Sequence, residues 1–501
     1  MLYIERTKEE HETMSYISPI DRNQYTLMNS LDELVPTNHP VRLLDQLVEV
    51  IVKNNPEQFG TETSGDVGRP EYSPSTLLKL YLYGYCNGIR SSRKLETETK
   101  RNIEVLWLLG TLSPDHKTIA DYRKDHGNNV KFITKAFREF LHKEGYIIGK
   151  RVAIDGSKFK ANAKREMLTM KKIAKRLERL DEQLEKYLQV LATNDYRDDV
   201  LDELEENEEM APREALLVEK VVALQQEIET LKQHQKTLEQ SGQKALSTTD
   251  PEAPLMKSRD GKHPGYNVQI VVDAQHGLIA DSEVLTDEND LHVLPVVMES
   301  LKEEIGRTPE ESLLDKGYYT PDEIEKVEST TKTQCYIPIP KKPKCDNAIT
   351  FTYEQPLDAY RCSAGKLLPI VYRNVRKRGS LVDIYRGTEC ANCPMRQGCT
   401  KAKKGRTVAR YHNQQWREDY IARVSSRAAQ KIMALRKTLA EHPFGFIKCL
   451  GGKIPLLLRG VKKVATEINL YTTAFNLKRM SKIELFDILL EKITSYQWKI
   501  A

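Results

Sequence analysis

The sequence predicts a mixed α/β protein in which an all-helical N-terminal domain precedes an α/β domain interrupted by a long helical hairpin. Three observations predict it. Apolar residues recur at three- and four-residue steps from Leu31 to about Lys143. Two short β-like runs, RVAID ending at Asp155 and SLLD ending at Asp315, each carry a glycine one or two residues beyond the aspartate. Between them, residues 165–245 hold two heptad runs separated by an acidic linker.

With 501 residues the chain has material for several domains, and 30% charged against 39% hydrophobic residues excludes collagen-like and wholly disordered classes. No run approaches the roughly 18 apolar residues that a bilayer-spanning helix needs. The opening MLYIERTKEEHETM carries charges where a secretory signal needs an apolar stretch, so the expected location is cytoplasmic, with no membrane partner. Eight cysteines are too few for a disulfide scaffold in a chain of this length.

Taken in order, residues 1–28 read as a polar arm and 29–145 as the helical domain. Pro40 opens VRLLDQLVEVIV, a one-faced helix, and TETSGDVGRP at 61–70 reads as a loop. Ser73 is placed to cap a helix whose first residue is Pro74, and Asn87-Gly88 marks the next turn. Thr118 and Asp121 suggest a capping box before TIADYRKDH. Arg90, Arg93 and Lys94 on such helices suit a DNA-binding module of helix-turn-helix type, or else an ordinary solvated basic face.

The α/β domain is expected over 146–164, 246–334 and 413–490. RVAID reads as a strand closed by a glycine turn, YNVQIVVDA and LIADSEVL as a hairpin, and Asp290 to about Ile305 as a helix. The insertion at 165–245 pairs Ile173, Leu177, Leu180, Leu184, Tyr187 and Leu191 with Leu217, Val221, Leu224, Ile228, Leu231 and Leu238, as an antiparallel hairpin would. Residues 335–412 read as a loop-rich basic insertion, and about 423–491 as helix interrupted near PFGFIKCLGGKIP. Strand, hairpin, helix, strand is the order of a ribonuclease-H-like domain.

Charge is segregated. Residues 191–240 hold 5 Lys/Arg against 14 Asp/Glu, whereas 361–410 hold 13 against 2 and 431–480 hold 10 against 2. Two basic blocks are the footprint of a polyanion binder, the alternative being a solvated surface. Strand-end aspartates beside glycine offer rigid, accessible ligands for magnesium; they also serve simply as turn caps. Cys390-x2-Cys393, with Cys399 and Cys362, has the bite of one structural zinc site, unless the four are free thiols.

Seven stretches in order carry a resemblance: YGYCNGIRSSRKLE (83–96), SPDHKTIADYRKDH (113–126), AIDGSKFKANA (153–163), GYNVQIVVDA (265–274), LLDKGYYT (313–320), AEHPFGFIKCLGG (440–452) and LRGVKKVATEINLYTTAFNLKRM (458–480). The chain resembles the DDE transposases of bacterial insertion sequences. That resemblance implies Asp155, Asp315 and Glu441 as the catalytic carboxylates, holding two magnesium ions that manganese replaces. It implies DNA contacts from Lys448 and from Arg436 and Lys437, which stand near where a common form of the signature has its arginine. Terminal inverted repeats and target DNA are the implied partners, bound by a homodimer assembled on DNA. The readings that compete with a cleaving and joining enzyme are a non-catalytic DNA-binding relative and a plain nuclease on the same fold.

Overall fold

The computed structural model describes residues 30–60, 71–164, 167–201, 211–243, 245–258, 261–340, 349–377, 379–451 and 456–499. The expected arm at 1–28, the loop at 61–70, Cys345 and the centre of the acidic linker lie outside the described residues.

Eight helices open the described chain: α1 (Leu31–Leu34), α2 (Pro40–Asn54), α3 (Pro56–Phe59), α4 (Pro74–Cys86), α5 (Ser92–Arg101), α6 (Ile103–Leu108), α7 (His116–Asp125) and α8 (Gly127–Lys143). Pro40 begins α2, and Leu43, Leu44, Leu47, Val48 and Ile51 form its buried face. The Ser73 hydroxyl accepts the Thr76 N–H at 3.3 Å, which starts α4, and Gly88 at φ 75° turns the chain after it. α4 is buried from Thr76 to Cys86. The cap of α7 is Asp115, whose carboxylate accepts from Lys117 N and Thr118 N at 2.8 and 3.0 Å. Thr118 therefore lies inside the helix, because the aspartate three residues earlier already satisfies its N–H.

β1 (Arg151–Lys160) follows, then β2 (Met167–Leu168), α9 (Met170–Leu201), α10 (Ala211–Ser241) and β3 (Leu246–Ser247). α9 and α10 run antiparallel: Arg176 pairs with Glu227 at 2.6 Å, and further up α9 the Tyr187 ring lies 5.9 Å from the Lys220 ammonium. Ile173, Leu180, Ile228, Leu231 and Leu238 form their own buried seam, closed at the base by Leu168 and Leu246 of β2 and β3.

The main sheet adds β4 (Leu255–Ser258), β5 (Gly261–Asp273), β6 (Ile279–Leu285), β7 (Glu311–Leu313) and β8 (Gln334–Tyr336). Its order is β4-β5-β1-β7-β8, with β6 also paired to β5. β1, β7 and β8 are parallel, whereas β5 runs antiparallel to β1, β4 and β6. β5 is buried from Pro264 to Asp273, which explains its nearly unbroken apolar run. β1 continues through Gly156 to Lys160 instead of turning there. α11 (Leu294–Ile305) begins four residues later than the expected Asp290, because His292 is held at φ 69° and Pro295 favours the first turn. α12 (Pro321–Thr331) links β7 to β8.

The stretch expected to be loop-rich forms a second, antiparallel sheet. It contains β9 (Phe351–Glu354), β10 (Ala359–Cys362), β11 (Leu367–Lys377), β12 (Ser380–Arg386) and β13 (Thr407–Tyr411), with a short α13 (Arg396–Cys399). Its buried cluster joins Tyr360, Leu368 and Tyr385 with partly buried neighbours, and Ala359 and Val382 are also buried, too little apolar surface to advertise strands in the sequence. α14 (Gln414–Ser425), α15 (Arg427–Gly451), α16 (Val461–Ile483) and α17 (Phe486–Ser495) close the chain. α15 runs on through Pro443, so the expected break falls after Gly451.

One hydrophobic core joins the N-terminal helices, the main sheet and α16. Arg138 of α8 fastens them, reaching Glu304 at 3.0 Å, Ser282 at 2.7 Å and Thr472 at 3.2 Å.

Candidate functional site

β1 and β7 are paired in parallel with Ala153 opposite Leu313. Asp155 and Asp315 each stand two residues beyond that rung, so neighbouring strands deliver two carboxylates to the same end of the sheet. Asp315 caps the turn at Lys316–Tyr318 by accepting the Gly317 N–H. Burial pushes the Asp155 carboxyl above its ordinary range, the Arg436 guanidinium pulls it back, and the charges of Asp315 and Asp290 push it further. Tyr318, buried beside them, has its phenol pushed up by burial and then by Asp290, Asp155 and Asp315.

Asp290 is the carboxylate that sequence reasoning missed. It lies in the loop between β6 and α11, where its Oδ1 accepts Asn267 Nδ2 at 2.8 Å and Gln269 Nε2 at 3.1 Å. Gln269 is opposite Gly156 in the β1–β5 register, and its Oε1 accepts the Tyr318 hydroxyl. A Cβ at Gly156 would stand 2.7 Å from Asp290 Oδ1. Glycine at 156 thus makes room for Gln269 and Asp290. Five acidic residues crowd the segment DSEVLTDEND, and nothing local distinguishes Asp290 from the others.

α15 packs across the sheet through Ala429, Ile432, Met433 and Leu439 against Ala153, Leu313 and Tyr336. That docking brings Arg436 Nη1 to 3.1 Å from Asp155 Oδ2. Lys437 and Glu441 are exposed on the same helix, and the Glu441 carboxylate has no hydrogen bond or ion pair among the described residues. The structure therefore brings Asp155 and Asp315 together with Asp290 and Arg436, and leaves Glu441 outside their contacts. Lys448 lies with its ammonium 5.8 and 5.7 Å from the Phe159 and Phe444 rings.

Arg93 and Lys94 are exposed on α5. Arg90 differs from the expectation of a DNA-reading side chain: it is buried and pairs with Glu467 of α16 at 3.1 Å, because the turn after α4 packs against that helix. Cys362, Cys390, Cys393 and Cys399 line one small cavity at the edge of the second sheet, all as free thiols. Burial pushes the Cys399 thiol up, Arg406 counters it, and the other three thiols add to the rise.

Among the described residues no three His, Cys, Asp or Glu side chains are grouped closely enough to hold a metal ion. The donor chemistry nevertheless fits. Asp155, Asp290 and Asp315 supply only oxygen, the preference of a hard divalent cation, and the Arg436 guanidinium shows that a cation is accommodated at Asp155. The four thiols supply the sulfur set that zinc prefers. Among the described residues, no helix is long and apolar enough to cross a membrane.

Two family models match the chain: a transposase domain (DUF772) over residues 29–125 and a transposase DDE domain over residues 361–481. The first covers Arg93 and Lys94, the second Arg436 and Glu441, and Asp155, Asp290 and Asp315 lie between them. No curated protein matches. A solved structure described as the cryo-EM structure of piggyBac transposase synaptic complex with hairpin DNA aligns over 92% of this chain and 80% of that one, at 8% identity and a TM-score of 0.30. A score that low carries no argument about fold or function. With transposase models matched in both its helical N-terminal region and its basic C-terminal half, the chain is similar to DDE transposases of insertion-sequence type, and the two matches support that family.

Proposed function

We propose that the chain binds the terminal inverted repeats of its element, hydrolyses phosphodiester bonds at the ends and joins the freed 3′-OH ends to target DNA. The observation that carries this reading is the parallel register that sets Asp155 beside Asp315 at one end of the sheet. The strand order, with β5 antiparallel and β7 and β8 parallel to β1, supports a ribonuclease-H-like catalytic domain, with α9 and α10 as an insertion after its first strand.

Asp155 and Asp315, with Glu441 from α15, would hold two magnesium ions, for which manganese substitutes. Bound there, the ions supply activation of the attacking water or 3′-OH and stabilisation of the leaving oxygen. The remaining work belongs to this chain's side chains. Arg436, Lys437 and Lys448 neutralise phosphates beside the carboxylates, while Arg93 and Lys94 lie on the end-recognition helices. Phosphate contacts of this kind make affinity fall steeply with salt. Cys362, Cys390, Cys393 and Cys399 hold one structural zinc that closes the second sheet, whose basic strands have little apolar core to hold them. The working form is a homodimer on DNA.

The test uses purified full-length protein, a labelled duplex carrying the element's end and target DNA, with magnesium. Cleavage followed by joining is expected from the wild type. Asp155→Asn, Asp315→Asn and Glu441→Gln should each abolish both steps while leaving binding of the end intact. Cleavage without joining would make the chain a plain nuclease, and full activity in any of the three variants would remove that carboxylate from the set. About one equivalent of zinc per chain, lost in Cys393→Ser, would confirm the thiolate site; less than about a tenth would remove it.

A further inference from the structure

We infer that Asp290 is a further metal-ligating carboxylate of this centre, shared with Asp155 and Asp315. The inference rests on the metal-dependent reading above and adds a residue to it. Oδ1 of Asp290 is committed to two amide donors, Asn267 Nδ2 and Gln269 Nε2, which fix the carboxylate's orientation from the strand that pairs with β1. Oδ2 is left on the other side, towards the turn that Asp315 caps. A point one bond from the Gly317 Cα lies 2.7 Å from Asp315 Oδ1 and 3.5 Å from Asp290 Oδ2, so both oxygens border the same small volume.

A second observation points to a ligand there. Asn267 is wholly buried, and its Oδ1 has no hydrogen-bond partner among the described residues, although its amide nitrogen is bonded to Asp290. Buried oxygens rarely go unpaired unless the site takes a cation or water. The electrostatics agree in kind: Asp315 and Asp290 both push the Asp155 carboxyl up, all three push up the buried Tyr318 phenol, and the Arg436 guanidinium pulls Asp155 back. Such a set is costly unless a divalent ion settles it. Glycine at 156 and at 317 keeps Cβ atoms out of the space these carboxylates share. A bland structural role would need only Asp290 Oδ1, and would be served equally by asparagine.

That difference defines the experiment. Full-length protein is loaded with ferrous iron, and ascorbate with peroxide then cuts the backbone beside the bound ion; mass spectrometry maps the cuts. Wild-type protein should be cut next to residues 155, 290 and 315, with magnesium protecting all three places. Asp290→Asn keeps an acceptor for Asn267 and Gln269, so it should retain the wild-type melting temperature. It should nevertheless raise the magnesium needed for half-protection about tenfold or more, the loss seen when a metal site loses part of its support. Asp290→Ala should show the same metal defect together with a lower melting temperature. If Asp155→Asn loses the cuts and Asp290→Asn is cut and protected like wild type, Asp290 only positions Gln269 and the inference is wrong. If Asp155→Asn is itself cut as wild type, the metal-dependent reading fails first, and the inference with it.

Discussion

Arg436 Nη1 lies 3.1 Å from Asp155 Oδ2, with the two side chains 19% and 21% exposed. The nitrogen makes no aligned hydrogen bond, so the contact is a charge pair and not a fixed fork. A guanidinium so placed offsets the charge of Asp155, and under the proposed metal-dependent reading it would give way to a divalent cation.

Replacing Arg436 with methionine is therefore expected to destabilise the protein without metal by about 1–3 kcal/mol, less than the cost of breaking a fully buried pair. Added manganese should then raise the melting temperature of the variant more than that of the wild type, because no arginine has to be displaced. Urea unfolding and thermal melts with and without metal check both parts. Equal stabilisation of the two proteins would mean that Arg436 does not compete with the ion.

Gly156→Ala should lower stability even though alanine is ordinarily better than glycine in a strand by about 0.5–1 kcal/mol. The new methyl would close on Gln269 and stand 2.7 Å from Asp290 Oδ1, both held by hydrogen bonds that leave them little room to retreat. Overpacking of this kind costs about 1–3 kcal/mol, so the clash outweighs the gain. Gly445→Ala in α15, where nothing lies within 4 Å, is the control and should be neutral or stabilising. Denaturant midpoints of the two variants give opposite signs if this account holds.

Asp281 gives the fold a pH dependence of its own. Burial pushes its carboxyl up to about 7, with Arg138 opposing and Glu304 and Glu283 adding to the rise. A carboxyl whose folded value exceeds its unfolded one contributes stability that is full below the ordinary carboxylate range and is lost as pH rises towards 7. Asp281→Asn should flatten the change in melting temperature between about pH 4 and 7. Melts across that range, compared with the wild type, decide it.

The pair of Arg90 and Glu467 ties the turn after α4 to α16, with side-chain exposures of 8% and 0%. Removing one partner strands a buried charge, so Arg90→Ala should cost about 3–5 kcal/mol. Arg93→Ala, on an exposed site, should leave stability within about 0.5 kcal/mol and instead weaken binding of the element's end. Loss of DNA binding in Arg90→Ala without loss of stability would return that arginine to the recognition surface.

What the sequence determined by itself is whatever rests on local repetition and local caps. The helical face of α2, the Ser73–Pro74 start of α4, the paired heptads of α9 and α10, the hairpin of β5 and β6 and the aspartate just beyond β7 are all written in residues a few positions apart. A period of 3.6 or 2 or a capping side chain needs no distant partner to be recognised. Only the tertiary structure decided the rest. Asp290 is one acid among several until the amides of Asn267 and Gln269 select it from a neighbouring strand. Arg90 looks like a surface cation until Glu467, 377 residues away, buries it. Gly156 reads as a turn until β5 carries Gln269 opposite it and keeps β1 extended. The second sheet stays hidden because few of its side chains are buried, with Tyr360, Leu368 and Tyr385 clustered and Ala359 and Val382 also covered. In each case the deciding free energy is desolvation or charge pairing between segments that chain connectivity leaves far apart, and no local pattern encodes it.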